Sequence, residues 1–174
     1  MRWLLLPGEW KQLRQVEHTP GALAFIEAFW SRRDPRPEEP GNHLRETFSQ
    51  RVEAANLLYG EGGVKGSLTD RGRALILLGP PSHVRVASEP ILAWDTQRKT
   101  RRRVTTRELN VEVWGYRIED LPRRLLEEAR EASRRSEEAL QLTLSFLAES
   151  RRTYLVEGEA LLKLAARSAC RGCE

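Results

Sequence analysis

Cysteine is almost missing from this 174-residue chain, whose only two, Cys170 and Cys173, form a C-x-x-C at its end. That excludes the multi-disulfide framework that staples small secreted domains. A zinc site needs about four ligands, and a lone pair supplies half of one. A thioredoxin-like pair opens a helix after a strand, whereas this one trails off the chain. An inert or adventitiously oxidised tail is expected, with a shared metal or an intermolecular disulfide as the alternative. Histidine is scarce too. His18, His43 and His83 show no metal-ligand spacing, and no G-x-S-x-G turn offers a nucleophile, so protease and esterase readings have no foothold. Long apolar runs are also lacking. Met1–Leu6 is stopped by Pro7-Gly8-Glu9, short of a signal-peptide core, and nothing approaches the roughly 20 apolar residues of a membrane span. If Met1 is the true start, a cytoplasmic location is expected. Lysine is rare as well: 25 of the 29 basic residues are arginine, which favours bidentate ion pairs over point charges.

What is there suits a single domain spanning residues 1–174. Apolar residues make up 40% and charged residues 31%, far from a disordered composition. A chain of this length buries roughly 70% of its extended surface. Its net charge of +4 is spread along the sequence, which by itself does not single out nucleic acid.

The periodicity changes along the chain. Thr19-Pro20 reads as a helix start with Thr19 as cap, and Gly21–Arg33 places Phe25, Ile26, Phe29 and Trp30 on one face. Asp34-Pro35-Arg36-Pro37 ends that helix. Asn42 caps a second one, with Leu44, Phe48, Val52, Ala55 and Tyr59 inward and Gly60 closing it. A shorter helix around Gly8–Val16 would turn Trp10, Leu13 and Val16 inward. Arg73–Leu78, closed by Gly79-Pro80-Pro81, reads as a buried strand. Val84–Val86, Ile91–Trp94 and Val104–Ile118 follow as strands. Leu121–Glu138 reads as a charged helix with a thin inner stripe of Leu121, Leu125, Ala129 and Ala132. Leu140, Leu142, Leu144 and Phe146 then alternate with polar residues, as in a half-buried strand. Thr153–Val156 adds another strand, and Glu159–Arg167 a closing helix. The expected class is α+β: N-terminal helices packed on a mainly antiparallel β-sheet, with a charged helix before the last strands and a C-terminal helix. The strands fall near 73–78, 84–94, 104–118, 140–147 and 153–157.

Three stretches invite chemistry. Gly60–Ser67 is glycine-rich, but Lys65 and Ser67 are not adjacent as a Walker A motif requires, so a flexible connector is expected. Thr69-Asp70-Arg71-Gly72-Arg73 reads as a hydrogen-bonded turn, with Arg71 and Arg73 pairing to Asp34 or Glu46. Its alternative is an enzyme or anion-binding site, including one for a polypeptide end, built from Asp34, Thr69, Asp70, Arg71 and Arg73. Thr96–Arg103 carries Arg98, Lys99, Arg101, Arg102 and Arg103 without an acid, as a basic hairpin tip would. Such a tip suits a protein partner with an acidic surface. The alternative is nucleic acid, with Trp94 or Trp114 near for stacking. No catalytic residue or cofactor is assigned, and no metal beyond what Cys170 and Cys173 could share.

Phe25–Pro37, then Asn42, Arg51 and Ala55-Asn56, then Gly66–Arg73, Ile76, Gly79-Pro80-Pro81 and Glu112-Val113-Trp114 together resemble the bacterial GWxTD domain family. The spacing agrees from about Trp3 to Arg117. Residues 1–118 thus form the resembling part, and 119–174 a divergent helix-strand-strand-helix extension. Ser67 stands where the family has its naming tryptophan, and Leu75 where an aromatic is usual. The resemblance implies a bacterial source and a fold, but no activity, cofactor or catalytic residue. Because members are typically exported, it also sets a cell-envelope location beside the cytoplasmic one. The leading functional expectation is a non-catalytic interaction module within a larger assembly.

Overall fold

The computed structural model describes residues 1–93, 105–127, 130, 142–149 and 152–170, and for 88–93, 105–110 and 149 the backbone alone. Helices α1 (Pro7–Arg14), α2 (Thr19–Ser31), α3 (His43–Leu58) and α4 (Asp70–Leu78) come first. Strands β1 (His83–Ala93) and β2 (Thr105–Gly115) follow, then a helical stretch at 123–127 (α5). Strands β3 (Thr143–Glu149) and β4 (Arg152–Glu157) and helix α6 (Glu159–Ser168) complete the described chain. The strands form one antiparallel sheet in the order β1-β2-β3-β4. The fold is the α+β arrangement that the residue pattern predicts.

Caps and aromatic edges tie the first helices together. His18, rather than Thr19, caps α2, its Nδ1 accepting from the Gly21 N–H at 3.0 Å. Asn42 caps α3 as expected: its Oδ1 accepts from the Arg45 N–H, and its Nδ2 donates to the Trp30 carbonyl, both at 2.9 Å. Phe29 and Trp30 meet edge-on at 5.0 Å, and Trp30 and Phe48 at 5.3 Å, a favoured geometry for buried rings. Tyr59, Trp114 and Phe146 carry the contact into the sheet at 5.4 and 4.9 Å.

Helix α1 corrects one expectation. Trp10 is not inward but 36% exposed, and the buried residue of α1 is Glu9. One Glu9 oxygen accepts from Arg33 Nη2 at 2.6 Å and from the Leu6 N–H at 3.0 Å. The other accepts from Arg33 Nη1 at 2.8 Å and Arg32 Nη2 at 2.9 Å. Arg33 is itself buried, lies 3.8 Å over the Phe29 ring and donates to the Leu4 carbonyl. A buried guanidinium left without a counter-charge costs several kcal/mol, more than an indole gains by turning inward, so Glu9 sets the orientation. Burial pushes the Glu9 carboxyl up. The hydrogen bonds from Arg33, the Leu6 N–H and Arg32 outweigh it and hold the group below its ordinary value.

The largest correction is at Arg73–Leu78, expected as a strand but found within α4. This helix packs against α3, α6 and β4, and Ala74–Leu78 are all buried. A short run buried all round has no polar face, so its period cannot separate strand from helix. The discriminating signal sits just before it. Thr69 is the cap, its Oγ1 accepting from the Gly72 N–H at 3.1 Å, and Asp70 is the acid of the first turn.

Strands β1 and β2 pair without a break from His83↔Gly115 to Ala93↔Thr105, so 84–86 and 91–93 of the expected segments belong to one strand. Trp94 and the basic stretch Arg98, Lys99, Arg101, Arg102 and Arg103 lie outside the described residues. Leu144 and Phe146 are buried as the alternation predicts, although β3 starts at Thr143 and Leu140 is outside the described residues. Leu121, just before α5, and Leu125, within it, are buried, while Ala129 and Ala132 fall outside the described residues.

Candidate functional site

Close packing of the backbone around Gly66 positions every charged group of the 69–73 segment. The loop after α3 is not the flexible connector expected. Glu61 and Val64 exchange backbone hydrogen bonds of 3.2 and 2.8 Å across Gly62 and Gly63, whose φ angles of 56° and 79° are left-handed. Asn56 Oδ1 then accepts from the Ser67 N–H at 2.9 Å. A Cβ at Gly66 would stand 1.8 Å from the Ala55 carbonyl oxygen, and one at Gly72 1.8 Å from that of Gly66. Thr69 closes the knot, its hydroxyl donating to the Gly66 carbonyl at 2.8 Å while accepting from Gly72.

From this knot the acids reach the sheet. Asp70 Oδ2 accepts from the Leu155 N–H at 2.8 Å. Glu61 accepts from the N–H and the hydroxyl of Thr153, both at 2.9 Å. Because β4 is an edge strand, these alternate N–H groups point away from β3, and the two carboxylates satisfy them.

The arginines leave in other directions. Arg71 pairs with Glu61 at 3.2 Å and Glu112 at 3.4 Å and lies 5.3 Å over the Tyr59 ring. Glu112 in turn accepts from the indole N–H of Trp114. Arg73 grips Glu159 of α6 through two bonds of 2.8 and 2.9 Å and lies 5.2 Å over Trp3. The expected partners, Asp34 and Glu46, are elsewhere. Asp34 accepts from the Arg36 N–H of its own turn at 3.0 Å, and Glu46 lies 3.8 Å from His43. The reason is α4 itself: a helical first turn aims Arg71 at β2 and Arg73 at α6, where a strand would have sent them along the sheet.

The structure thus brings Thr69, Asp70, Arg71 and Arg73 into one cluster and leaves Asp34 out of it. A cavity of about 160 Å³ adjoins Asp70, lined by Glu61, Thr69, Asp70, Arg152, Thr153 and Tyr154. It is smaller than typical ligand pockets of about 300 Å³ and upward, and its two carboxylates oppose an anion. Both guanidinium groups are met by carboxylates, leaving only their buried Nε atoms without a partner among the described residues. The cluster acts as a clamp, joining α4 to β2, β4 and α6.

Glu61, Glu112 and Glu159 are the members that sequence reasoning missed. The Gly62-Gly63 pair, a tight-turn signal, could have marked Glu61 as an aimed side chain. Glu112 offers no comparable signal. Cys170 is disulfide-bonded, and Cys173 lies outside the described residues. Among the described residues, no group of three or more His, Cys, Asp or Glu side chains could hold a metal ion. No described helix is long and apolar enough to cross a membrane. Compared with family models, curated proteins and solved structures, the chain matches none of them.

Proposed function

We propose that the chain is a non-catalytic protein-interaction module, a subunit or accessory of a larger bacterial assembly, consistent with its resemblance to the GWxTD family. The observation that carries this reading is the engagement of the 69–73 cluster in internal contacts, which leaves it without a free nucleophile, base or anion-binding arginine pair. The opposite side of the sheet supports it. Among the described residues strand β1 is an edge with nothing paired outside it, and Val84 and Val86 are 53% and 70% exposed there. An exposed apolar edge is a template for another chain. The β1–β2 ladder leads to residues 94–104, which hold the basic stretch Arg98–Arg103. The partner that fits this combination has an acidic surface.

The test is affinity capture of the tagged protein from its native host at low and moderate salt, beside a variant with Arg101, Arg102 and Arg103 changed to Glu. A stoichiometric partner that the variant loses while keeping its circular dichroism spectrum supports the reading. A partner retained by the variant overturns the surface, and no reproducible partner overturns the module.

A further inference from the structure

A second cavity, of about 370 Å³, opens between α3, α4, the C-terminal turn of α6 and residues 122–124. Its size falls in the range of small-molecule sites. Apolar walls come from Leu4, Leu44, Phe48, Ile76, Leu77 and Ala165. Every ionisable side chain in the lining is basic: Arg33, His43, Arg51, Arg123 and Arg124. Two of these already have counter-charges nearby. Arg33 is paired with Glu9, and His43 lies 3.7 Å from Glu39 and 3.8 Å from Glu46.

The other three differ. Among the described residues Arg51, Arg123 and Arg124 have no carboxylate partner. Half-buried Arg51 donates to the Ile76 and Leu77 carbonyls near the end of α4, at 3.2 and 3.5 Å. A helix end offers about half an elementary charge, less than a guanidinium requires. Burial lowers the pKa of Arg51, the mark of a cation that is under-compensated where it sits. An apolar chamber with unpaired guanidinium groups at its wall is complete only with an apolar body and an anionic head. Guanidinium groups match the oxygens of carboxylate and phosphate alike.

We propose that this cavity binds a small single-chain amphiphile with an oxyanion head, carboxylate or phosphate. The head meets Arg51, Arg123 and Arg124, and the tail lies on Leu44, Phe48 and Ile76. This site is separate from the protein-interaction reading and stands or falls without it.

Calorimetric titration of the full chain with decanoate, decyl phosphate and decanol, each below its aggregation threshold, tests the proposal. Saturable binding of either oxyanion amphiphile is expected, with decanol at least about tenfold weaker. The tighter of the two heads identifies the natural chemistry. Arg51→Met also removes two bonds to α4, so the decisive variant is the double change Arg123→Gln and Arg124→Gln. It is expected to keep the wild-type melting temperature, to bind the oxyanion ligands about tenfold more weakly and to leave decanol unchanged. Leu44→Trp, which fills the chamber, is expected to weaken all three ligands. Three results would overturn the proposal: no saturable binding of either oxyanion ligand, decanol binding as tightly as decanoate, or unchanged affinities in the double variant.

Discussion

At one edge of the sheet, β4 turns the N–H groups of Thr153 and Leu155 outward onto the carboxylates of Glu61 and Asp70. At the other edge, β1 carries Val84 and Val86 largely exposed, and among the described residues no strand pairs beyond it. Both are edges of one antiparallel sheet, so backbone chemistry alone does not separate them. The difference lies in what the helical layer brings to each. The knot at Gly66 carries two acids to β4, on which α4 packs, whereas among the described residues no comparable packing of α4 or α6 reaches β1. An edge sealed by side chains from distant parts of the chain serves folding. An edge left open and apolar is where a partner can add.

Perturbing the two edges should have very unequal effects. The greatest loss is expected for Gly66→Val, because the added side chain meets the Ala55 carbonyl at 1.8 Å and breaks the knot that aims both acids. A loss of about 5 kcal/mol is expected in urea unfolding. Glu9→Ala, away from both edges, calibrates a buried carboxylate that seals no strand. Leaving Arg33 buried and unpaired should cost about 4 kcal/mol. Glu9 has a folded pKa below its ordinary 4.5, so its contribution is complete above that value and disappears as pH falls through the folded pKa. Wild type should therefore lose stability below about pH 5 more steeply than Glu9→Gln, and parallel curves would refute the assignment. Glu61→Ala strips Thr153 and Arg71 together and should cost about 3 kcal/mol, with faster amide exchange at Thr153. The smallest change is expected at the open edge. Val86→Lys should shift stability by no more than about 0.5 kcal/mol while weakening capture of the partner. A large stability loss there would mean that β1 is covered after all.

Much of this was legible in the sequence, and the remainder was hidden for identifiable reasons. The Asn42 cap, the stripe on α2, the alternation at Leu144 and Phe146 and the closing helix all declare themselves within a few residues. Helix α4 did not, because five successive buried apolar residues erase the period that would name it. The candidate cluster was found as a segment, but its wiring was not. Arg71 meets Glu112 across 41 positions and Arg73 meets Glu159 across 86, distances at which local pattern is silent. Burial of Glu9 was hidden too, since it depends on Arg33 being buried first.

The reach of the clamp has a consequence for how the chain is made. Glu61 and Asp70 wait for partners 92 and 85 positions later, and Arg73 for one 86 later. A growing polypeptide exposes those charges to water through most of its synthesis, and α4 has no sheet edge to close on until β4 and α6 have emerged. A nascent chain stalled after residue 118 is therefore expected to be digested by protease at the rate of an unfolded peptide. The structure would form late and in one cooperative step, after translation has passed Glu159 rather than while the N-terminal helices are leaving the ribosome.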